Sequence, residues 1–194
     1  MIIMKKVLYC IRHGTALHNV LFWEQGEDVY KKYRDTPLVK KGVDEAKDLG
    51  ETWEDIDKIE LVIVSPLLRT LQTADNIFCK KDVPMIALDC VMEYSQGLDL
   101  CNRRKSITEY KPCYPKVDFS HIKDDVDQKW REDKYETVEE LNERIKEMIN
   151  FIKTRKEIHI AIVSHSSYLG HYMFDKIGDE KNEIKHCYPY IHNI

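Results

Sequence analysis

Val7-Leu8-Tyr9-Cys10-Ile11-Arg12-His13-Gly14 is the stretch of sequence that tells most about the fold. Its first five residues are apolar, and the run stops at an arginine, a histidine and a glycine. A short apolar run of this kind is typical of a strand that is buried on both faces of a parallel sheet. Because ligand-binding groups gather where the strands of open α/β sheets end, we expect Arg12 and His13 to face a ligand.

Two later apolar runs repeat this arrangement. Residues 61–64 are followed by Ser65, and residues 158–163 are followed by Ser164-His165. Both runs predict buried parallel strands. Residues 85–88 are a weaker strand candidate, and residues 184–194 predict an edge strand.

Helical patterns lie between the predicted strands. One helix is predicted to begin near Gly42, and Ser65-Pro66 predicts a second helix start, because serine can cap and proline suits the first turn. Thr137 and Glu140 form a capping box ahead of the clearest helical periodicity. A further helix is predicted over residues 167–174. Strands that alternate with helices predict a three-layer α/β/α sandwich with a mostly parallel sheet.

The length of 194 residues suits one domain with a substantial core, so residues 1–194 are predicted to form a single domain. Residues 94–133 break the alternation of strands and helices. We interpret this segment as a cap-like insertion over the C-terminal ends of the strands, where it would shape a substrate pocket. A surface excursion without ligand contact is the alternative.

Composition excludes several classes of partner. The chain is 43% hydrophobic and 33% charged, as soluble globular proteins are, and its formal net charge is -4. This charge disfavours binding to nucleic acid or to an anionic membrane, and no apolar run is long enough to span a membrane. The six cysteines include no C-x-x-C pair, so no zinc site is predicted. No secretory leader is recognisable, so the default expectation is a cytoplasmic protein with free thiols. The sequence does not predict the oligomeric state.

Charged residues follow the predicted strands at matching positions. Arg12 and His13 follow the first strand, Arg69 lies just beyond Ser65, and His165 follows the last of the three runs. Two guanidiniums and an imidazole suit a phosphate dianion, and helix N-termini would add N–H donors. The predicted ligand is therefore a small phosphorylated molecule.

The same residues suggest a reaction. Neighbouring arginines keep a histidine neutral, and a neutral imidazole can attack phosphorus to give a covalent phosphohistidine. The leaving alkoxide needs a proton, for which Glu93 is the first candidate. Asp89 and Asp99 flank Glu93, and either could be the acid instead. No step requires a metal or a cofactor.

Several motifs together resemble those of the histidine phosphatase superfamily, which has the phosphoglycerate-mutase-like fold. Arg12-His13-Gly14, with Asn19 five residues after the glycine, resembles its signature, and Ser65-Pro66-Leu67-Leu68-Arg69-Thr70 resembles its second motif. Ser164-His165 resembles the third motif, and Val91-Met92-Glu93 resembles the segment that bears the acid. Further similarity lies in Asp35-Thr36-Pro37-Leu38. The stretch from Cys101 through Phe119 to Glu132 resembles a eukaryotic subgroup of phosphoglycerate-mutase-like proteins.

The resemblance implies a role for each matched residue. His13 would be the nucleophile and Glu93 the proton donor. The phosphoryl group would be held by Arg12, Asn19, Arg69 and His165. The remaining histidines match no motif and are interpreted as structural or exposed.

Two departures from the family pattern favour a phosphatase. True mutases carry Glu-Arg-x-Tyr-Gly after the acid, whereas Glu93 is followed here by Tyr94-Ser95-Gln96-Gly97. The arginine that would grip a carboxylated sugar phosphate is therefore absent from that position. Thr15 also stands where many members have glutamate or glutamine.

The sequence thus predicts a metal-independent phosphatase that hydrolyses a phosphomonoester through phosphohistidine. A phosphoglycerate mutase and a non-catalytic phosphate-binding scaffold are the alternatives, and a metal-dependent hydrolase is the weakest. One further hypothesis is that Arg103, Arg104 and Lys105 bind a second anionic group of the substrate. The alternative is that these three residues form a solvated basic run.

Overall fold

The computed structural model of the chain describes residues 5–94, 96–177 and 184–194. The described strands are β1 (Val7–Arg12), β2 (Leu61–Val64), β3 (Met85–Ala87), β4 (Val117–Asp118), β5 (His159–Ser164) and β6 (Pro189–Asn193). The described α-helices are α1 (Leu17–Gln25), α2 (Asp28–Lys32), α3 (Lys40–Thr52), α4 (Leu68–Ile77), α5 (Ile107–Tyr110), α6 (Val138–Thr154) and α7 (Ser166–Phe174). Short 3-10 turns cover Ile56–Lys58, Asp89–Val91 and Leu100–Asn102.

The strands form one sheet in the order β4-β3-β2-β5-β1-β6. Neighbouring strands run parallel except for β6, which pairs antiparallel with β1 at one edge. The register places Arg12 opposite Ser164, so β1 and β5 end at the same level. The predicted mostly parallel sheet and the predicted C-terminal edge strand are both confirmed. None of the described helices is long and apolar enough to cross a membrane.

Alternate residues of the central strands enter two separate cores. Tyr9, Ile11 and the other residues on that face pack with α3, α4 and α5, whereas Leu8 and Cys10 pack with α6 and α7 on the opposite face. Both faces of the sheet are therefore covered, which explains why the strands are apolar without alternation. The predicted three-layer α/β/α sandwich is confirmed.

Two of the predicted helix starts differ in outcome. Thr137 Oγ1 accepts a hydrogen bond from the Glu140 amide at 3.2 Å, and Glu140 Oε2 accepts from the Thr137 amide at 2.8 Å, so the capping box of α6 is confirmed. The other helix, α4, begins at Leu68 rather than at Ser65. Its Leu68 amide is capped by Asp35 Oδ1 at 2.7 Å, from far away in the sequence.

The segment 94–133 does more than lie over the strand ends. Its first part reaches them, because Cys101 and Asn102 both contact Arg69. Its middle part, however, contributes α5 and β4 to the layers of the fold, and β4 extends the sheet beyond β3. The pattern did not predict this strand, since two residues are too few to show a period.

Arg104 fastens this segment to the body of the protein. Its side chain is fully buried, and Nε donates to Asp89 Oδ1 at 3.0 Å. The two terminal nitrogens donate to the carbonyls of Asp124 and Asp125 at 2.8 and 2.7 Å. These contacts engage the guanidinium within the protein, so the hypothesis that Arg104 binds a second anionic group of the substrate is wrong.

We expect Arg104→Met to lower the free energy of unfolding by about 3 kcal/mol, because a buried carboxylate and several carbonyls lose their partner. Arg103→Met is the matched control. The Arg103 guanidinium stacks on Trp130 at 4.5 Å and stays partly exposed, so its loss should cost about 1 kcal/mol or less. Urea unfolding followed by circular dichroism measures both variants, and equal losses would contradict the assignment.

Candidate active site

The strand ends bring His13 and His165 together. Arg12 is the last residue of β1 and Ser164 the last of β5, and the two lie opposite each other in the sheet. The His13 amide donates to the Ser164 carbonyl at 3.0 Å, and the two imidazole rings lie 5.3 Å apart between centroids. The predicted convergence at the C-terminal edge therefore exists.

His13 is held in one orientation and one tautomer. Its Nδ1 lies 2.7 Å from the Gly14 carbonyl, which can only accept, so Nδ1 carries the proton. The lone pair on Nε2 then faces Arg69, whose Nε donates to it at 3.2 Å. Burial, and then the charge of Arg69, hold the pKa of His13 well below its usual value, so the ring is neutral near pH 7.

Close backbone packing fixes the loop that carries His13. A Cβ on Gly14 would lie 2.4 Å from the Gly42 carbonyl oxygen, so only glycine fits. The Gly14 amide donates to Thr73 Oγ1 at 3.0 Å. Thr15, where many members of the resembled family carry an acidic or amide side chain, donates through its hydroxyl to Glu45. The loop is thus bound to both α3 and α4.

Arg69 is buried at the centre of the site. Besides His13, its guanidinium donates from Nη1 to the Cys101 carbonyl and from Nη2 to Asn102 Oδ1, both at 2.8 Å. Asp35 supports it indirectly by capping α4. The same Asp35 carboxylate accepts from the Lys105 amide at 3.0 Å. One buried carboxylate therefore ties the helix that bears Arg69 to the segment that covers it.

His165 is oriented by Ser65, whose hydroxyl also accepts from the Leu67 amide at 3.4 Å just ahead of α4. The Ser65 hydroxyl lies 2.8 Å from His165 Nε2. If Ser65 donates there, the neutral ring carries its proton on Nδ1. Among the described residues this Nδ1 is buried and has no hydrogen-bond partner. Burial, followed by the charge of Arg69, lowers the pKa of His165 well below its usual value. The ring can thus offer a neutral N–H donor to an anion.

The remaining two phosphate-binding candidates have partners in the protein. Arg12 donates from Nη1 to the Ile184 carbonyl at 2.8 Å, and its side chain is buried. Asn19 accepts at Oδ1 from the Ala16 amide at 2.9 Å, which caps α1. The oxygen of Asn19 therefore has a structural task, and only its amide nitrogen could serve an anion.

The Glu93 carboxylate lies against the N-terminus of α7, the helix that follows His165. Its carboxylate accepts from the amides of Tyr168 at 3.0 Å, Tyr94 at 2.8 Å and Ser167 at 3.4 Å. Burial nevertheless raises the pKa of Glu93 above its usual value, against the lowering effect of Arg69 and of these amides. A raised pKa suits a carboxyl that gives up a proton during a reaction.

The geometry separates Glu93 from the two rival acids. Asp89 is paired with the buried Arg104, which leaves it engaged outside the histidine cluster. Asp99 faces the Tyr135 hydroxyl at 3.5 Å. Of the three carboxylates, Glu93 is the one that accepts from the first amides of α7, the helix that His165 precedes.

A buried ion pair that the sequence analysis missed supports the Glu93 backbone. Arg144 on α6 donates to both carboxylate oxygens of Glu136, at 2.6 and 2.8 Å. It also donates to the carbonyls of Cys90 and Met92 at 3.0 and 2.8 Å. Arg144 lies on the buried face of α6. The one sign of this in the sequence is that Arg144 falls within the apolar stripe of the helix.

Two histidines interpreted from sequence as structural or exposed lie against the His13 ring. The His18 centroid is 6.0 Å away and the His186 centroid 5.6 Å away. His186 Nδ1 lies 2.5 Å from the His13 carbonyl, and His18 Nδ1 lies 2.5 Å from Thr36 Oγ1. His18 immediately precedes Asn19 in the first motif, which was the available clue.

Comparison with known families agrees with this geometry. The family model described as histidine phosphatase superfamily (branch 1) matches residues 8–186. The chain belongs to the histidine phosphatase superfamily.

Curated plant members of the superfamily are similar over most of the chain. Phosphoglycerate mutase-like protein 1 of Arabidopsis thaliana is 36% identical over 202 residues, which cover 86% of this chain and 70% of that protein. Another Arabidopsis thaliana protein, named phosphoglycerate mutase-like protein, is 34% identical and covers 90% of this chain and 76% of its own length.

Solved structures of two phosphatases share the fold at low sequence identity. The ecdysone phosphate phosphatase from Bombix mori, in complex with tungstate, matches with a TM-score of 0.63 and 17% identity, over 97% of this chain and 88% of that one. The alpha-ribazole phosphatase from Shigella flexneri matches with a TM-score of 0.61 and 21% identity, over 93% and 87%. At these identities the likeness supports the fold alone.

The oxygen and the nitrogen of the Asn19 carboxamide can be tested separately in this member of the histidine phosphatase superfamily. Asn19→Asp keeps the oxygen that caps α1 but replaces the amide nitrogen with an anionic oxygen. We expect unchanged thermal stability and at least a tenfold higher KM for an aryl phosphate, because the new charge repels phosphate. Asn19→Ala should cost about 1 kcal/mol of stability by loss of the cap. An unchanged KM in Asn19→Asp would show that Asn19 caps α1 and does not contact the phosphate.

Proposed function

We propose that the protein is a metal-independent phosphatase that hydrolyses small phosphomonoesters through a phosphohistidine on His13. The observation that carries this proposal is the hydrogen bond from His13 Nδ1 to the Gly14 carbonyl at 2.7 Å. It leaves Nε2 as a neutral nucleophile that faces a buried guanidinium. Membership of the histidine phosphatase superfamily supports the same reaction class.

The phosphoryl group would bind among the side chains that surround His13 Nε2. Arg69 Nε, which donates to Nε2 without substrate, would donate to a phosphoryl oxygen instead. Arg12 would add a second guanidinium and His165 a neutral N–H donor. Fixed donors of this kind stabilise the charge that develops on the transferring group.

In the first step, His13 Nε2 attacks phosphorus in line with the ester oxygen. A P–N bond forms as the P–O bond to the alcohol breaks, and the leaving oxygen takes the proton of the Glu93 carboxyl. The alcohol departs, and Glu93 is left as a carboxylate. The raised pKa of Glu93 favours the protonated form that this step requires.

In the second step, water attacks phosphorus on the phosphohistidine. The Glu93 carboxylate takes a proton from the water, the P–N bond breaks, and inorganic phosphate is released. His13 returns to its neutral state and Glu93 to its carboxyl form. The same residue thus acts first as acid and then as base.

A phosphoglycerate mutase is the second candidate, favoured by the names of the plant relatives. A mutase would return the phosphoryl group to its substrate rather than to water. Incubation with 3-phosphoglycerate distinguishes the two: we expect slow release of free phosphate and no isomer, whereas an isomeric phosphoglycerate without phosphate release would establish the mutase.

The nucleophile is tested by His13→Ala. We expect hydrolysis of p-nitrophenyl phosphate to fall at least a thousandfold, because the covalent step has no other acceptor. The exposed His121→Ala is the matched control and should retain full activity, and EDTA should leave the wild-type rate unchanged. Turnover of even a tenth of the original in His13→Ala would exclude His13 as nucleophile.

The acid is tested by Glu93→Gln, which preserves shape but supplies no transferable proton. We expect about a hundredfold loss with alkyl phosphates and a much smaller loss with p-nitrophenyl phosphate, whose leaving group needs no proton. In the wild type, activity on alkyl phosphates should decline as the pH rises through the raised pKa of Glu93. Equal losses on both esters would argue against a proton donor.

A further inference from the structure

Aromatic side chains lead from the nucleophile towards the surface. The His18 ring lies 5.8 Å from the Tyr30 ring, and Tyr30 is stacked on Phe22 at 5.7 Å with 23° between the planes. Since His18 also touches His13, the rings form a continuous series. We call His18, Phe22 and Tyr30 the aromatic wall. It lies on α1 and α2.

The aromatic wall borders the phosphate pocket. Tyr30 lies on α2, which packs against the turn Leu100–Asn102. Burial raises the pKa of the Tyr30 hydroxyl to about 12. Cys101 is the residue whose carbonyl binds Arg69. Phe22 and Tyr30 are only half-buried, so part of their surface remains open to a ligand.

The rim beside this wall carries the carboxylate of Asp99, which immediately precedes the turn Leu100–Asn102 that packs on α2. Asp99 is partly buried, with its carboxylate 3.5 Å from the Tyr135 hydroxyl, and burial raises its pKa. Glu27 precedes α2 and Lys31 lies on it, and their charges act on the pKa of Asp99 in opposite directions.

The positive charges of Arg103 and Arg104 do not neutralise the negative charge of these carboxylates. Arg104 is buried in internal hydrogen bonds, and Arg103 is stacked on Trp130 with Glu132 at 3.8 Å. A second anion on the substrate would therefore meet Asp99 without one of these guanidiniums to receive it.

We propose that the aromatic wall binds the alcohol part of the substrate, and that this part carries a ring and no second anionic group. The proposal rests on the proposed phosphatase function. Ring faces stack on flat or apolar groups, whereas a carboxylate or second phosphate would be repelled at the rim. The substrate class is thus a phosphomonoester of a neutral, ring-bearing alcohol.

Three esters of primary alcohols test this without differences in leaving-group chemistry. They are 2-phenylethyl phosphate, glycerol 3-phosphate and 3-phosphoglycerate, assayed by phosphate release from the wild-type protein. We expect kcat/KM to be at least tenfold higher for the phenylethyl ester than for glycerol 3-phosphate, and lowest for 3-phosphoglycerate. A preference for 3-phosphoglycerate would overturn the proposal.

Variants then locate the ring. Tyr30→Leu should raise the KM for 2-phenylethyl phosphate about fivefold and leave that for glycerol 3-phosphate unchanged, while Tyr30→Phe keeps the wild-type KM for both. Phe174→Ala, an exposed aromatic on α7, is the matched control and should change neither. Asp99→Asn should improve kcat/KM for 3-phosphoglycerate about threefold. Equal effects of Tyr30→Leu on both esters would refute the aromatic wall as a subsite.

An assay with p-nitrophenyl phosphate distinguishes a failure of the proposed phosphatase function from a failure of the proposed subsite. If the wild type hydrolyses it and His13→Ala does not, the phosphatase stands, and the three-ester comparison judges the subsite alone. If no ester is hydrolysed, the proposed function fails and the subsite proposal falls with it.

Discussion

The buried guanidinium of Arg69 is the group on which the rest of the site depends. It donates to His13 Nε2 at 3.2 Å, and to the Cys101 carbonyl and Asn102 Oδ1 at 2.8 Å each. A buried charge is costly unless its donors are paired, so the segment that carries Cys101 must close over the strand ends. His13, the helix that bears Arg69 and the covering segment are thereby joined through one side chain.

The electrostatics of the site follow from that burial. His13 and His165 are buried beside the positive charges of Arg69 and Arg12, and both effects disfavour protonation, so their pKa values fall. For Glu93 the effects oppose each other. The amides at the start of α7 and the charge of Arg69 favour the carboxylate, whereas burial favours the carboxyl, and burial prevails. One environment therefore holds a neutral imidazole at His13 and a carboxyl at Glu93 whose pKa is raised.

Local sequence patterns predicted the architecture of the sheet and of the helical layers. The sheet, the three layers and the edge strand follow from apolar runs of recognisable length, and the superfamily follows from motifs in order. The same strand ends explain why Arg12, Arg69 and His165 could be expected near His13. Their catalytic roles, and that of Glu93, remain predictions.

Contacts between residues far apart in the chain could not be predicted from the sequence patterns. The pairing of Arg104 with Asp89 turns an apparent anion-binding residue into a structural one. The sequence does not distinguish Arg144 from other helix residues, whereas in the fold it binds the carbonyls of Cys90 and Met92, just before Glu93. His186 reaches His13 only because β6 pairs with β1. In each case the partner is chosen by tertiary packing, which no local period encodes.

The most direct test is detection of the phosphorylated residue itself. The wild-type protein, mixed with substrate and quenched in alkali within milliseconds, should carry one phosphoryl group on His13 Nε2, located by mass spectrometry and phosphorus NMR. It should disappear on acid treatment and be absent from His13→Ala. Turnover without a phosphorylated intermediate, or with phosphate on another residue, would contradict the account.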